Sequence, residues 1–200
     1  MAARLRVSRP TARQALQRLV DRGLLTRRRG VGTIVSPSQV HRPMELTSLM
    51  KDLVEAGHKV QTTIQRYEAH PATEAEAEAL KIEAGTLIVH IERTRFTNNE
   101  PIAVLTNLIP ADIAPTMQEL ESGSLYDLMR ERGVTLTSAR QVIGARTATT
   151  KEAKLLSEHR GAALLTTQRT TYDPSGRIVE YGDHIYRASR YSFEANLFAQ

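Results

Sequence analysis

Two arginines stand where the pattern of a strand calls for core residues: by alternation, Leu87, Val89, Ile91, Arg93 and Arg95 share one face. A guanidinium stays charged. Two of them on a partly buried face therefore need carboxylates or a bound anion to offset the charge. The chemistry on offer is anion recognition. A solvated strand end, paired to Glu68 or Glu180, accounts for the same pattern, and alternation alone divides the two readings evenly.

A second group of residues is suited to reading a nucleic acid. Ser8 precedes Arg9, Pro10 and Thr11, the order of an N-cap followed by proline in a first helical turn. Ala12, Ala15, Leu16, Leu19 and Val20 recur at helical spacing, and Gly23 supplies a stop. Such a helix exposes Arg9, Thr11, Arg13, Gln14, Gln17 and Arg18. The following LLTRRRGVGTIV predicts two short strands about a glycine turn at Gly30 to Gly32. A solvated helix with a charged hairpin is the plain reading of composition. The order of the parts favours another, in which the start of a recognition helix meets base edges and a basic wing contacts phosphates or the minor groove.

The charge distribution agrees. Residues 1 to 40 carry nine arginines and one acid, a balance of +8, whereas residues 41 to 200 balance at −3. All nine aromatics lie from Tyr67 onward, so the basic head lacks the stacking residues of single-strand binders, and a duplex phosphate backbone is the expected partner. No cysteine is present, which excludes disulfides, thiolate metal sites and a cysteine nucleophile. His41, His58, His70, His90, His159 and His184 form no i, i+4 pair, and no metal or cofactor is expected. No apolar run approaches the ~20 residues of a membrane span, the basic start lacks the apolar stretch of a secretory signal, and a cytoplasmic protein is expected.

The elements that would position these groups can be read in outline. Residues 36 to 44, SPSQVHRPM, show no periodicity and read as linker. Leu46, Leu49, Met50 and Leu53 make a helical stripe ending at Gly57, and a strand follows over TTIQRYEAH. Thr73 and Glu76 form a capping box before a helix to about Leu80. Two strands flank an Asn98-Asn99 turn, and a helix runs from about Ser124 to Arg132. Then come a strand over about 137 to 148, a short helix after Thr149, and a last hairpin turning at Asp173 to Gly176. Hairpins with intervening helices predict an α+β fold with an antiparallel sheet.

VSRPTARQALQRLVDRGLLTRRRGVGTIV resembles the second half of the winged helix-turn-helix of GntR-type bacterial transcription regulators. The resemblance implies that Ser8, Arg9, Thr11, Arg13 and Gln14 face the major groove and that Arg27, Arg28, Arg29, Gly30, Gly32 and Thr33 belong to the wing. Met1 falls inside the second helix of that pattern, so the head reads as truncated and is expected to bind DNA weakly as it stands. ERTRFTNNEPIAVLTNLIP, GSLYDLM and YRASRYSF are similar to the UTRA effector-binding domain of the HutC subfamily, a chorismate-lyase-like fold. By that resemblance Arg93 and Arg95 hold the anionic group of an effector, with Ser124 and the Ser48-Leu49 backbone assisting, while Glu180 and Tyr186 meet the rest of it. Six residues of extended strand span about 20 Å, so the last two share one small ligand only if the strand bends near Gly182. Leu105, where amino-sugar-responsive relatives often carry glutamate, and Ser189, in place of aspartate, count against an amino-sugar phosphate.

The organisation expected is therefore a partial winged helix-turn-helix over 1–36, a linker over 37–43 and an effector-binding domain over 44–200. The leading function is a repressor, homodimeric on duplex operator DNA and released by a phosphorylated sugar or a carboxylate. Two rivals stand beside it: an effector-binding protein whose head no longer works, and a chorismate-lyase-like enzyme. For the enzyme no nucleophile-base-acid set, metal set or phosphate-binding glycine loop is found.

Overall fold

The computed structural model describes residues 8–21, 25–28, 32–35, 40–43, 46–55 and 57–194. The chain divides into two compact units, Met1–His41 and Arg42–Gln200.

In the first unit, α1 (Arg9–Asp21) begins where the cap predicts. The Thr11 amide donates to Ser8 Oγ at 3.2 Å, and the Ser8 and Thr11 hydroxyls are 2.7 Å apart. Ala12 and Leu16 are half-buried and Arg13, Gln14 and Arg18 exposed. Two stripe assignments change: Ala15 is exposed, and Gln17, beside Leu16 at the stripe margin, is half-buried. The hairpin forms as expected, with β1 (Leu25–Arg28) antiparallel to β2 (Gly32–Val35).

The segment expected as linker is not all irregular. Val40–Pro43 forms β3, a strand of a two-stranded sheet apart from the main one. Strand pairing gives its backbone groups partners that a loop must find in water, and Pro43 occupies the strand end, where its missing N–H matters least.

The second unit is built on one six-stranded antiparallel sheet. After α2 (Leu49–Glu55) come β4 (Val60–Pro71), α3 (Glu74–Leu80), β5 (Leu87–Thr97) and β6 (Glu100–Pro110). Next are α4 (Met117–Ser122), α5 (Leu125–Glu131), β7 (Ser138–Thr147), α6 (Thr150–Leu155), β8 (Ala163–Tyr172), β9 (Ile178–Arg187) and β10 (Tyr191–Glu194). The sheet order is β4-β5-β6-β9-β8-β7, so β6 and β9, far apart in the chain, lie side by side at its centre. Asn98 and Asn99 take φ of 51° and 66°, the left-handed pair that a two-residue hairpin loop needs.

Both sheet faces are covered. Val89, Ile91, Ile109 and Val179 pack against Leu120 of α4 and against Leu125, Tyr126 and Met129 of α5. On the other face, Ile88, Leu108 and Ile178 meet Ala77 and Leu80 of α3, while Val104, Leu164 and Ile185 meet Ala153 of α6. The alternation expected along β5 holds at Val89, Ile91, Arg93 and Arg95 but not at Leu87, which is 53% exposed. Leu87 opens the strand opposite Pro71 at the end of the sheet, outside every core cluster among the described residues. The helix α4 escaped the sequence reading, although Thr116 and Glu119 form the same capping box as Thr73 and Glu76.

A third capping box yields a pH prediction. Arg146 reaches Glu152 at 2.6 and 2.7 Å, and this bond, aided by the Thr149 cap, holds the Glu152 carboxyl at about 2, well below its ordinary 4.5. A carboxylate depressed by folding contributes stability above its unfolded pKa and loses it as pH falls through the folded value. Glu152→Gln should therefore lower the urea midpoint at pH 6, and the difference from the parent should vanish progressively between about pH 4.5 and pH 2. A difference that persists unchanged at pH 2 would assign the effect to something other than ionisation.

Candidate functional site

The register of the central strands assembles a polar floor on the face that carries α4 and α5. One row across the sheet reads Arg93, Leu105, His184, Thr167; the next reads Ile91, Asn107, Gly182, Arg169; a third reads Thr62, Arg95, Ala103, Tyr186. Above this floor, Thr47, Ser48, Leu49 and Met50 at the start of α2 and Leu125 and Tyr126 at the start of α5 close a cavity. It takes in about 370 Å³, its open mouth included.

Arg93 and Arg95 are each only 2% exposed, so the solvated-strand-end reading does not hold. Arg93 Nη2 donates to Asn107 Oδ1 at 2.8 Å, while its Nε and Nη1 have no hydrogen-bond partner among the described residues. Arg95 Nη1 donates to Thr62 Oγ1, and its Nε is likewise unpartnered. Burial pushes Arg93 down to about 10, partly offset by the Glu180 charge; burial, reinforced by Arg93, pushes Arg95 to about 9. Of the two carboxylates weighed as partners, Glu68 is taken by Arg66 at 2.6 Å. Glu180 reaches Arg93 only through Asn107.

Glu180 is itself fully buried and saturated with donors. Asn107 Nδ2 donates to its Oε1 at 2.6 Å; Thr171 Oγ1 and Tyr126 Oη donate to its Oε2 at 2.7 and 3.1 Å. Because Arg93 fixes the carbonyl end of Asn107, the amide end must donate, and His184 Nε2 at 3.2 Å accepts from it. His184 Nδ1 then carries the proton toward Tyr186 Oη, also at 3.2 Å. Burial first, and the Glu180 charge second, raise Tyr126 to about 12, which keeps its hydroxyl a donor. Arg169 adds a third guanidinium: its Nε meets Gln141 Oε1 at 2.7 Å, and its Nη1 meets the Thr47 carbonyl at 3.3 Å and Tyr126 Oη at 3.4 Å. Among the described residues of the lining, three guanidinium groups thus face one carboxylate.

Gly182 is what lets this network close. A Cβ there would sit 2.6 Å from both Glu180 Oε1 and His184 Nε2, so only glycine leaves the space in which these side chains lean together over Asn107. Glu180 and Tyr186 both line the cavity, and no register shift interrupts β9 from Glu180 to Arg187. The Tyr186 ring stacks on Tyr191 at 4.3 Å, so this residue is core at its ring and cavity lining at its hydroxyl.

The remaining expected residues fall into two groups. Ser48 and Leu49 line the cavity. Ser124 is not part of the lining; it caps α5 and donates to Ser48 Oγ at 2.7 Å. Leu105 is buried in the lining, and Ser189 lies outside it, donating to Glu158 at 2.7 Å. Asn107, Tyr126, Arg169, Thr171 and His184 were not anticipated as site residues. Alternation along β6 and β8 places Asn107 with Leu105 and Arg169 with Thr167, but choosing that face required the strand order.

In the head, Ser8, Thr11, Arg13 and Gln14 occupy the exposed first turns of α1. Arg27 stands opposite Thr33 and Arg28 opposite Gly32. Arg29, Gly30 and the Arg9 side chain lie outside the described residues.

Comparison with known proteins fits both units. Residues 55–192 match the UTRA domain, and residues 1–35 match the bacterial regulatory proteins of the gntR family. The HTH-type transcriptional repressor NagR of Bacillus subtilis (strain 168) is 34% identical over 190 residues, 94% of this chain and 78% of its own length. The histidine utilization repressor of Klebsiella aerogenes is 27% identical over 97% of this chain and 81% of its own. The crystal structure of PhnF from Mycobacterium smegmatis superposes with a TM-score of 0.86 at 26% identity, covering 100% of this chain and 89% of that one. With a GntR-type head followed by a UTRA domain over most of its length, the chain belongs to the GntR family of bacterial transcription regulators and is not an enzyme.

Proposed function

We propose that this regulator is a homodimeric repressor whose UTRA domain binds a small anionic metabolite and thereby loosens the hold of its heads on operator DNA. The observation that carries the reading is the excess of buried positive charge. Arg93 and Arg95 keep N–H groups that meet no acceptor among the described residues, and an anion in the cavity supplies charge-assisted bonds to them. The ligand is compact, because the cavity takes in only about 370 Å³ even with its open mouth included. A phosphorylated sugar or a carboxylate fits; Ser48 and the Leu49 backbone assist, and Glu180 and Tyr186 face its uncharged remainder. Leu105 presents an apolar wall there, which disfavours an amino group on the ligand.

Arg9, Arg13 and Gln14, with the Ser8-Thr11 cap, read base edges in this proposal, and Arg27 to Thr33 hold the backbone as the wing. Paired heads follow from half-sites a helical turn apart. The test is fluorescence anisotropy on a duplex selected from a random pool, with and without a hexose phosphate or a dicarboxylate. The ligand should weaken binding by about 5- to 150-fold, the usual span of such coupling. Arg28→Ala should lower the slope of log K against log salt by about 0.9 and weaken all sequences alike, whereas Arg13→Ala should blur the preference among sequences. Binding unaltered by either substitution would refute the DNA assignment, and coupling within error of onefold for both ligand classes would refute the switch.

A further inference from the structure

His70, Glu76 and His90 come together on the sheet face opposite the cavity. Glu68 pairs directly with His90 across β4 and β5 and His70 pairs with Ile88, so His70 and His90 are diagonal neighbours on one face, their ring centroids 6.2 Å apart. The third group arrives from α3. Glu76 is the closing residue of the Thr73 capping box, its Oε2 accepting from the Thr73 amide at 3.0 Å and from Thr73 Oγ1 at 2.8 Å. The cap fixes the carboxylate so that the other oxygen, Oε1, points at the imidazoles, 3.4 Å from His70 Nε2 and 3.7 Å from His90 Nδ1. His70 Nε2 is buried and has no hydrogen-bond partner among the described residues.

We propose that His70 Nε2, His90 Nδ1 and Glu76 Oε1 form a binding site for a divalent transition-metal ion, zinc being the best fit. Two imidazoles and a carboxylate suit zinc and its borderline neighbours rather than magnesium or calcium, which take oxygen ligands. The spacing fits as well. Metal bonds of ~2.0 to 2.2 Å in a tetrahedron place ligand atoms about 3.3 to 3.6 Å apart, and the three atoms here already lie within 4.8 Å of one another. Small side-chain rotations complete the remaining edge. The Thr73 bonds do for Glu76 what outer partners do in known metal sites, orienting a ligand before the ion arrives. Three protein ligands leave a fourth position to water, because Glu68 is engaged by Arg66 at 2.6 Å. The ion ties α3 to the β4–β5 ribbon at the edge of the sheet. No i, i+4 pair announces this site, since its ligands meet across strands.

The experiment uses the full chain without an affinity tag, stripped with a chelator and then titrated with Co(II) and Zn(II). The expected result is one equivalent bound, with the intense visible bands of four-coordinate Co(II), displaced by zinc. Thermal unfolding should shift upward with zinc; at 100 times its Kd the folding equilibrium moves about 100-fold toward the native state. His70→Gln and His90→Gln should each abolish the bands and the shift, while His159→Gln, at an exposed histidine, keeps both. Circular dichroism in chelator checks the fold, and His70→Gln carries the test should the β5 variant not fold. Absence of saturable binding, or one equivalent retained with unchanged affinity in the folded His70 variant, overturns the proposal.

Discussion

Arg95→Met should raise the melting temperature of the ligand-free regulator and at the same time abolish its response to anions. Among the described residues the guanidinium, 2% exposed, bonds one acceptor, Thr62 Oγ1, keeps an unpartnered Nε, and has Arg93 as its charged neighbour. A buried charge so poorly compensated is an energetic liability of the ligand-free fold. Replacing such groups by apolar side chains of similar volume is neutral or stabilising by ~1 to 4 kcal/mol. In a domain of this size each kcal/mol moves the melting temperature by about 2 to 4 °C. Anion binding should fall by at least tenfold with the loss of a charge-assisted bond worth ~1.5 to 3 kcal/mol. Arg93→Met provides the contrast. Arg93 offsets Glu180 through Asn107, so its removal strands a buried carboxylate and should destabilise. Scanning calorimetry, with titration of inorganic phosphate and of a hexose phosphate, reads both effects. An Arg95 variant that melts lower and still binds phosphate as the parent does would make this arginine structural.

The division between what the sequence discloses and what it hides follows the range of the interactions. Caps at Ser8, Thr73 and Thr149 and the Asn98-Asn99 turn are contacts within four residues, and each element they announce is present. The same signature at Thr116 and Glu119 is equally local and marks the start of α4. Alternation along one strand is also local, and it is enough to single out Arg93 and Arg95. Their partners are another matter. Asn107, Glu180, Thr171 and Arg169 belong to three strands whose adjacency, β6 to β9 to β8, brings together residues 73 positions apart in a single hydrogen bond. No window of sequence contains that pair. Six residues of extended backbone separate Glu180 from Tyr186, yet both line one cavity, and the lean of Glu180 and His184 toward each other depends on Gly182 having no Cβ.

Glu180 invites two substitutions with opposite consequences. Glu180→Ala removes the acceptor for Asn107, Tyr126 and Thr171 together and leaves Arg93 without its counter-charge. Breaking a buried charged network from one side costs ~3 to 5 kcal/mol, so the melting temperature should fall by about 6 to 20 °C. Glu180→Gln is gentler. Its carbonyl keeps the Asn107 bond, and the Tyr126 and Thr171 hydroxyls can turn to accept from its amide, because a hydroxyl is both donor and acceptor. What the glutamine deletes is the only negative charge among the described residues lining the cavity. Three guanidinium groups then meet an incoming anion with no carboxylate to repel it, and inorganic phosphate should bind about tenfold more tightly, a gain of ~1.4 kcal/mol. Phosphate is the right probe because it samples the charged end alone, while a hexose phosphate also reports on hydroxyls that Glu180 faces. The sign of the change decides the role of the residue. Tighter phosphate binding in a folded Glu180→Gln variant identifies Glu180 as the group that tempers the field of the arginines, whereas weaker phosphate binding shows that the carboxylate is needed to hold Arg93 in its binding pose.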